Sequence, residues 1–257
     1  MGEFTTTEQD GHVLTVTINR PERMNALHPP ANAEMGAIFD MFEANDDLWI
    51  AIVTGAGERA FSAGNDLVYQ AEGNPKWYAP MGFGGLTSRH DRRKPVIAAV
   101  NGVAMGGGFE IALACDIIVA SENARFALPE PKVGLAALAG GVHRLPRQIP
   151  LKQAMGMMLT GRHVPAAEGK ELGFVTEVVP QGEALAGAKR WAEMMLECSP
   201  VSLRTTLEVV RQGLEHADVA DAMLDDYPAV EALRNSEDFI EGPKAFAEKR
   251  KPNWKGR

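Results

Sequence analysis

Glu110 stands where an acid is costly. It sits in the stretch PVIAAVNGVAMGGGFEIALACD, residues 95–116, among Phe109, Ile111, Ala112, Leu113 and Ala114. A carboxylate inside so apolar a helix loses its hydration, and must be paired, hydrogen-bonded or protonated to be tolerated. Gly106, Gly107 and Gly108 stand where that helix begins. The first-turn N–H groups of a helix lack intrahelical acceptors and carry the positive end of its dipole, and glycine leaves them open to a ligand. Glu110 follows Gly107 by three residues, a spacing that puts its side chain on the same helical face as the Gly107 amide. An anion-stabilising N–H and a proton-transferring carboxyl can then address neighbouring atoms of one substrate. A glycine-rich turn packed against a strand, with Glu110 satisfied by a buried partner, fits the same residues. The glycines make neither a dinucleotide fingerprint nor a P-loop, since no Lys-Ser or Lys-Thr follows them.

The surrounding pattern supplies the supports. Residues 95–100 form a short, β-branched apolar run that predicts a strand buried on both faces, stopped by Asn101-Gly102. Residues 4–18 read as a hairpin turning at Asp10-Gly11, with Leu14, Val16 and Ile18 alternating with threonines. A loop over 19–27 leads into a helix ending near Asn45, and 49–54 is a second buried strand. Further strands are expected at 116–120, 124–127 and 174–179, and helices over 140–159 and 166–172. From about Glu183 the pattern is helical, with breaks at Pro200 and Pro228. The segment 68–94 mixes glycine and proline with Trp77, Tyr78, Met81 and Phe83, a composition that suits a lid over a ligand and equally suits partial disorder.

The chain has 257 residues, 45% of them hydrophobic, which suits one large α/β domain or such a domain with a helical appendage. A net charge of -8 argues against nonspecific binding to nucleic acid or acidic membranes. The two cysteines, Cys115 and Cys198, make neither a disulfide framework nor a metal-ligand spacing, and the six histidines are scattered, so no metal is expected. No signal-peptide pattern or run of about 18 apolar residues is present, and a cytoplasmic protein is expected.

The stretch VIAAVNGVAMGGGFEIALACDI resembles the signature of the crotonase superfamily, the enoyl-CoA hydratase/isomerase family, and the similarity runs along nearly the whole chain. In places the sequence is most similar to the carnitinyl-CoA dehydratases, at GFGGLT over 82–87 and in the final helix and WKGR terminus. The resemblance implies an α/β fold built as a spiral of ββα units over residues 1–182, with a C-terminal helical trimerisation region over 183–257. It implies an acyl-CoA thioester as substrate, a homotrimer or homohexamer, and no cofactor, coenzyme A being part of the substrate.

The resemblance also assigns residues. Glu130, twenty positions after Glu110, matches the second catalytic glutamate. AFSAGNDL, over 60–67, matches the first oxyanion-hole motif, with the backbone N–H of Asn65 as donor beside that of Gly107. The same octapeptide taken alone is a strand followed by a helix cap at Asp66. Arg23, Ala26, Ala63, Gly64, Asp66 and Leu67, with Phe246 and Lys249, match positions at the coenzyme A moiety, although Arg23 alone reads as a solvated surface residue and 246–249 as an amphipathic surface helix. Trp77, Phe83, Phe109, Leu135 and Leu138 are the expected acyl pocket. The reaction implied is reversible hydration of a 2-enoyl-CoA to a 3-hydroxyacyl-CoA, with carnitinyl-CoA dehydration or noncatalytic acyl-CoA binding as alternatives. One departure stands out: residues 137–141 read ALAGG, where hydratases commonly carry PGAGG and carnitinyl-CoA dehydratases PDSGG. An apolar Leu138 there puts the acyl group in doubt.

Overall fold

A computed structural model describes residues 2–74 and 80–257. They group into two compact units, one running to Asp91 and resuming over Val96–Arg190, the other made of Arg92–Pro95 and Trp191–Arg257.

The first unit carries all the strands among the described residues. They are β1 (Thr5–Asp10), β2 (Val13–Ile18), β3 (Ile50–Gly55), β4 (Ala60–Ser62), β5 (Val96–Val100), β6 (Val103–Met105), β7 (Ile117–Ser121), β8 (Arg125–Ala127), β9 (Val164–Pro165) and β10 (Glu177–Val179). One sheet has the order β1-β2-β3-β5-β7-β10 and a second has β4-β6-β8-β9. The expected hairpin is present as the antiparallel pair β1 and β2, with Asp10 opposite Val13. From β2 through β10 the large sheet is parallel. Strands buried on both faces must be apolar throughout, and β3 and β5 are buried at every position.

Successive strands alternate between the two sheets, β3 to β4, β5 to β6 and β7 to β8, so each turn of the chain has two strands and then a helical segment. The corners are tight. A Cβ on Gly55 would lie 2.3 Å from the Ala60 carbonyl oxygen, and one on Gly102 would lie 2.5 Å from that of Arg59. Asn101 staples this corner: its amide donates to the carbonyls of Gly55 at 2.9 Å, Gly57 at 2.6 Å and Ala60 at 3.3 Å, while its Oδ1 accepts from Gly55 N–H at 3.2 Å. Of the second sheet, β8 matches the strand expected at 124–127 and β4 one reading of residues 60–67, while β6 and β9 were not expected, because runs of two or three residues leave no periodicity to read.

Helices cover the sheets: α1 (Pro29–Ala44), α2 (Leu67–Ala71), α3 (Gly107–Ala114), α4 (Gly141–Gln148), α5 (Leu151–Thr160) and α6 (Ala166–Leu172). The core between them includes Phe39, Phe42, Phe61, Leu113 and the aromatic trio Phe109, Phe126 and Phe174, whose ring centroids are 5.1–5.2 Å apart. Each buried ring of this kind contributes about 1.5–3 kcal/mol.

The helix α7 (Ala184–Leu196) is followed in the second unit by α8 (Pro200–Gly213), α9 (Val219–Leu224), α10 (Pro228–Arg234) and α11 (Glu237–Ala247). Pro200 and Pro228 open helices rather than merely interrupting them, which fits a residue whose missing N–H is an orphan in the first turn anyway. No helix among the described residues is long and apolar enough to cross a membrane.

Candidate active site

The site forms where three loops meet at the start of α3. Gly106 N–H donates to the Ala127 carbonyl at 2.9 Å, tying the glycine turn to the end of β8. Gly106 has φ +52 and Gly64 φ +86, both in the left-handed region that glycine enters without a Cβ clash. A Cβ on Gly64 would lie 2.6 Å from the Met105 carbonyl oxygen and 2.8 Å from the Gly107 nitrogen, so the two glycine motifs meet backbone to backbone. Leu27 pairs with the same loop, donating to Gly64 O at 2.8 Å and accepting from Asp66 N–H at 3.1 Å, and this brackets Asn65 and fixes its peptide. Neither the Asn65 N–H nor the Gly107 N–H has an acceptor among the described residues. The Asn65 side chain turns aside to Gln70 at 2.7 Å.

Glu110 lies in the first turn of α3 and is 3% exposed. Its Oε1 accepts from Gly141 N–H at 2.8 Å, at the first residue of α4. Burial pushes its pKa up to about 7; the Gly141 N–H opposes this, the charge of Glu130 adds to it, and the Ala139 N–H and Arg144 guanidinium pull it back. Glu130 opens a 3-10 turn, Glu130–Val133. Its Oε1 lies 2.9 Å from where a Cβ on Gly106 would be, so this acid closes over the glycine turn. Its Oε2 is buried and has no hydrogen-bond partner among the described residues. Burial raises its pKa too. The two acids lie near enough for the charge of Glu130 to raise the pKa of Glu110.

Phe83 also reaches this place. Its ring lies against Gly107, with Cε1 2.4 Å from an added Cβ there. Its own N–H donates to Thr87 Oγ1 at 2.7 Å.

Other expected residues lie elsewhere. Phe109 is fully buried in the Phe126 and Phe174 trio and is a core ring, not a pocket wall. A helix that is apolar on nearly every side gives no sign of which face meets the ligand. Leu135 is 43% and Leu138 76% exposed. Trp77 lies outside the described residues. Asp66 is not free for a ligand: it caps α2 through Tyr69 N–H at 3.1 Å and pairs with Arg20 at 3.1 Å. Burial opposes its ionisation, but those two partners hold its pKa below the usual carboxylate range. Arg20 also donates to the Ala26 carbonyl, making a strut across the loop. Arg23 and Leu67 are exposed, Ala63 half-buried and Ala26 buried. Phe246 and Lys249 belong to the second unit, and both are exposed.

The sequence reading missed the residues that hold Glu110: Gly141, Ala139 and Arg144. The Gly140-Gly141 pair was the available signal, read there as part of a helix and as the end of the ALAGG stretch, without a role for its amide.

A family model described as enoyl-CoA hydratase/isomerase matches residues 8–257. The chain belongs to the enoyl-CoA hydratase/isomerase family. Membership carries the α/β crotonase-like fold and the general chemistry of the family's hydratases and isomerases. The chain is 43% identical to the carnitinyl-CoA dehydratase of Escherichia coli K12, with all of both chains covered. Among solved structures of the family, an enoyl-CoA hydratase from Mycobacterium tuberculosis H37Rv matches with a TM-score of 0.92 at 35% identity. A carnitinyl-CoA hydratase from Mycobacterium avium matches with 0.79 at 37%. Both comparisons cover the whole of each chain.

Proposed function

We propose that this protein is a hydro-lyase that interconverts carnitinyl-CoA and its 2,3-unsaturated product, crotonobetainyl-CoA, and that Glu110 and Glu130 carry the proton transfers. The full-length 43% identity to carnitinyl-CoA dehydratases supports the substrate. The single observation that carries the chemistry is the pairing of two burial-raised carboxyls beside an unoccupied backbone donor.

In the dehydration direction the C2–H bond and the C3–O bond break, the C2=C3 bond forms, and water leaves. One carboxylate takes the C2 proton while the other carboxyl gives a proton to the departing hydroxyl, so the pair ends with the proton count it began with. This division needs one acid protonated and one ionised. Burial, which raises both acids, and the charge of Glu130, which raises Glu110 further, favour keeping a proton on the pair. Negative charge collects on the thioester oxygen as the C2 proton leaves. The N–H groups of Asn65 and Gly107 are the fixed donors available to it, and a donor of this kind is worth about 3–4 kcal/mol of barrier. Gly64 lets the two turns that carry these amides meet backbone to backbone, and the Phe83 ring lies against Gly107.

A hydratase for uncharged 2-enoyl chains is the second reading. It is favoured by the better backbone agreement with the M. tuberculosis hydratase. Parallel assays with crotonyl-CoA, longer enoyl-CoA thioesters and crotonobetainyl-CoA, following loss of the enoyl-thioester absorbance, decide between them. The first reading expects the highest kcat/KM with crotonobetainyl-CoA. Preference for crotonyl-CoA supports the second, and binding without any absorbance change points to a noncatalytic acyl-CoA-binding subunit.

Assembly as a trimer or a dimer of trimers, in the cytosol, belongs to the same proposal. It is supported by the exposed apolar side chains Leu214, Met223 and Leu224 of the second unit, and light scattering tests it.

A further inference from the structure

The Arg144 side chain touches two parts of the site that are far apart in sequence. It lies in the first turn of α4, three residues after the Gly141 amide that holds Glu110. Its Nη2 donates to the Thr87 carbonyl at 2.8 Å, and its Nη1 makes a long 3.5 Å contact with the Ala139 carbonyl. The guanidinium lies across Gly140: a Cβ at that residue, which has φ +108, would be 2.0 Å from Nη1. Thr87 is buried, and its hydroxyl accepts from Phe83 N–H. Phe83 in turn covers Gly107.

We propose that Arg144 is a positioning residue, whose one planar guanidinium holds the 139–141 turn against Glu110 and holds the Thr87 carbonyl that seats Phe83 over Gly107. The orientation of the acid and the cover on the oxyanion donor are then set by the same side chain. Arginine suits this task because its rigid fork of donors can serve two carbonyls at once, whereas a lysine ammonium acts as a single point. The role presupposes the proton-transfer chemistry proposed above for Glu110.

The charged groups facing Glu110 are Glu130, which opposes its ionisation, and Arg144, which favours it. Loss of Arg144 removes a favourable charge and loosens the Gly141 and Ala139 amides, which act in the same direction. Both changes raise the titration midpoint of Glu110.

Two variants of the full-length protein, Arg144→Gln and Arg144→Lys, test this. The Glu110 carboxyl is followed by carbon-13 NMR with labelled glutamate, its signal identified by its absence in Glu110→Gln. The expected result is an upward shift of the Glu110 midpoint in Arg144→Gln, a smaller one in Arg144→Lys, and kcat lowered about tenfold in both, as small misplacements of reacting groups do. KM should change less than kcat. An unshifted midpoint with wild-type kcat in either folded variant overturns the role. If Arg144→Gln does not fold, the Arg144→Lys titration decides alone. Absence of turnover in the wild type with every thioester tested would instead refute the function proposed above, while the NMR titration would still report on Arg144.

Discussion

The two acids of the site are held in opposite ways. Glu110 is set in a helix, almost wholly buried, with Oε1 fixed by the Gly141 amide. Glu130 sits on a single 3-10 turn, only partly buried, with Oε2 lacking any partner among the described residues. Burial raises both pKa values, opposed at Glu110 by the Gly141 and Ala139 N–H groups and at Glu130 only by its own backbone N–H. A buried polar atom left without a partner costs about 1–3 kcal/mol, so the open oxygen of Glu130 is a place where a bound water or substrate hydroxyl would repay that cost. The contrast suggests an acid with a fixed direction facing one whose remaining bond is completed by the ligand.

Removing the carboxyls is the strongest way to break this contrast. Glu110→Gln and Glu130→Gln should each lower kcat by about 100- to 10,000-fold while leaving coenzyme A affinity near wild type, measured by steady-state kinetics and calorimetry. Wild-type turnover in both variants would refute the paired-acid reading.

The next effect lies in stability. Glu110 titrates at about 7 when folded, against 4.5 for an ordinary glutamate, so the folded state binds this proton more tightly than the unfolded chain. Its contribution to stability is therefore fully present below pH 4.5 and is lost as pH rises through 7. The span amounts to about 3 kcal/mol. Urea denaturation at pH 8 and pH 4.5 should show the wild type losing that much relative to Glu110→Gln as the pH increases, and parallel curves for the two proteins would contradict it.

Backbone changes separate the acids. A Cβ at Gly141 would fall 3.1 Å from Glu110 Oε1, whereas one at Gly106 would fall 2.9 Å from Glu130 Oε1. Gly141→Ala and Gly106→Ala should each lower kcat about 10- to 100-fold. The first should move the Glu110 midpoint, and the second should leave the Gly141 hydrogen bond intact, both read by NMR titration.

The smallest effect belongs to Leu138. A side chain 76% exposed contributes little, so Leu138→Ala should change stability by less than about 0.5 kcal/mol and kcat/KM by less than about twofold. A larger change would mean that this residue meets the substrate.

Much of the large sheet was legible because buried parallel strands such as β5 must be short, apolar and β-branched, and Asn101-Gly102 marked the corner where β5 ends. Glu110 and Gly107 could be paired from helical spacing alone. Glu130 needed the family resemblance, since its approach to Gly106 depends on the path of β7 and β8 and has no local signature. Phe109 was misplaced because nothing in an evenly apolar helix distinguishes a core face from a ligand face. The exposure of Leu138 was not legible, because the direction of residues 137–140 is set by the start of α4. The Gly141 amide was invisible for a related reason: a backbone donor has no residue type, and only the fold tells which N–H points at which carboxylate.

The Asn101 staple also bears on how the protein ages. Asparagine followed by glycine is the sequence most prone to spontaneous deamidation, and conversion to aspartate would replace an amide that donates to three carbonyls with a charged acceptor facing the same oxygens. Hydrolysis of this one amide would set a negative charge against the carbonyls of Gly55, Gly57 and Ala60 and loosen the corner between β3 and β4, a weakness that lies in the scaffold rather than among the acids.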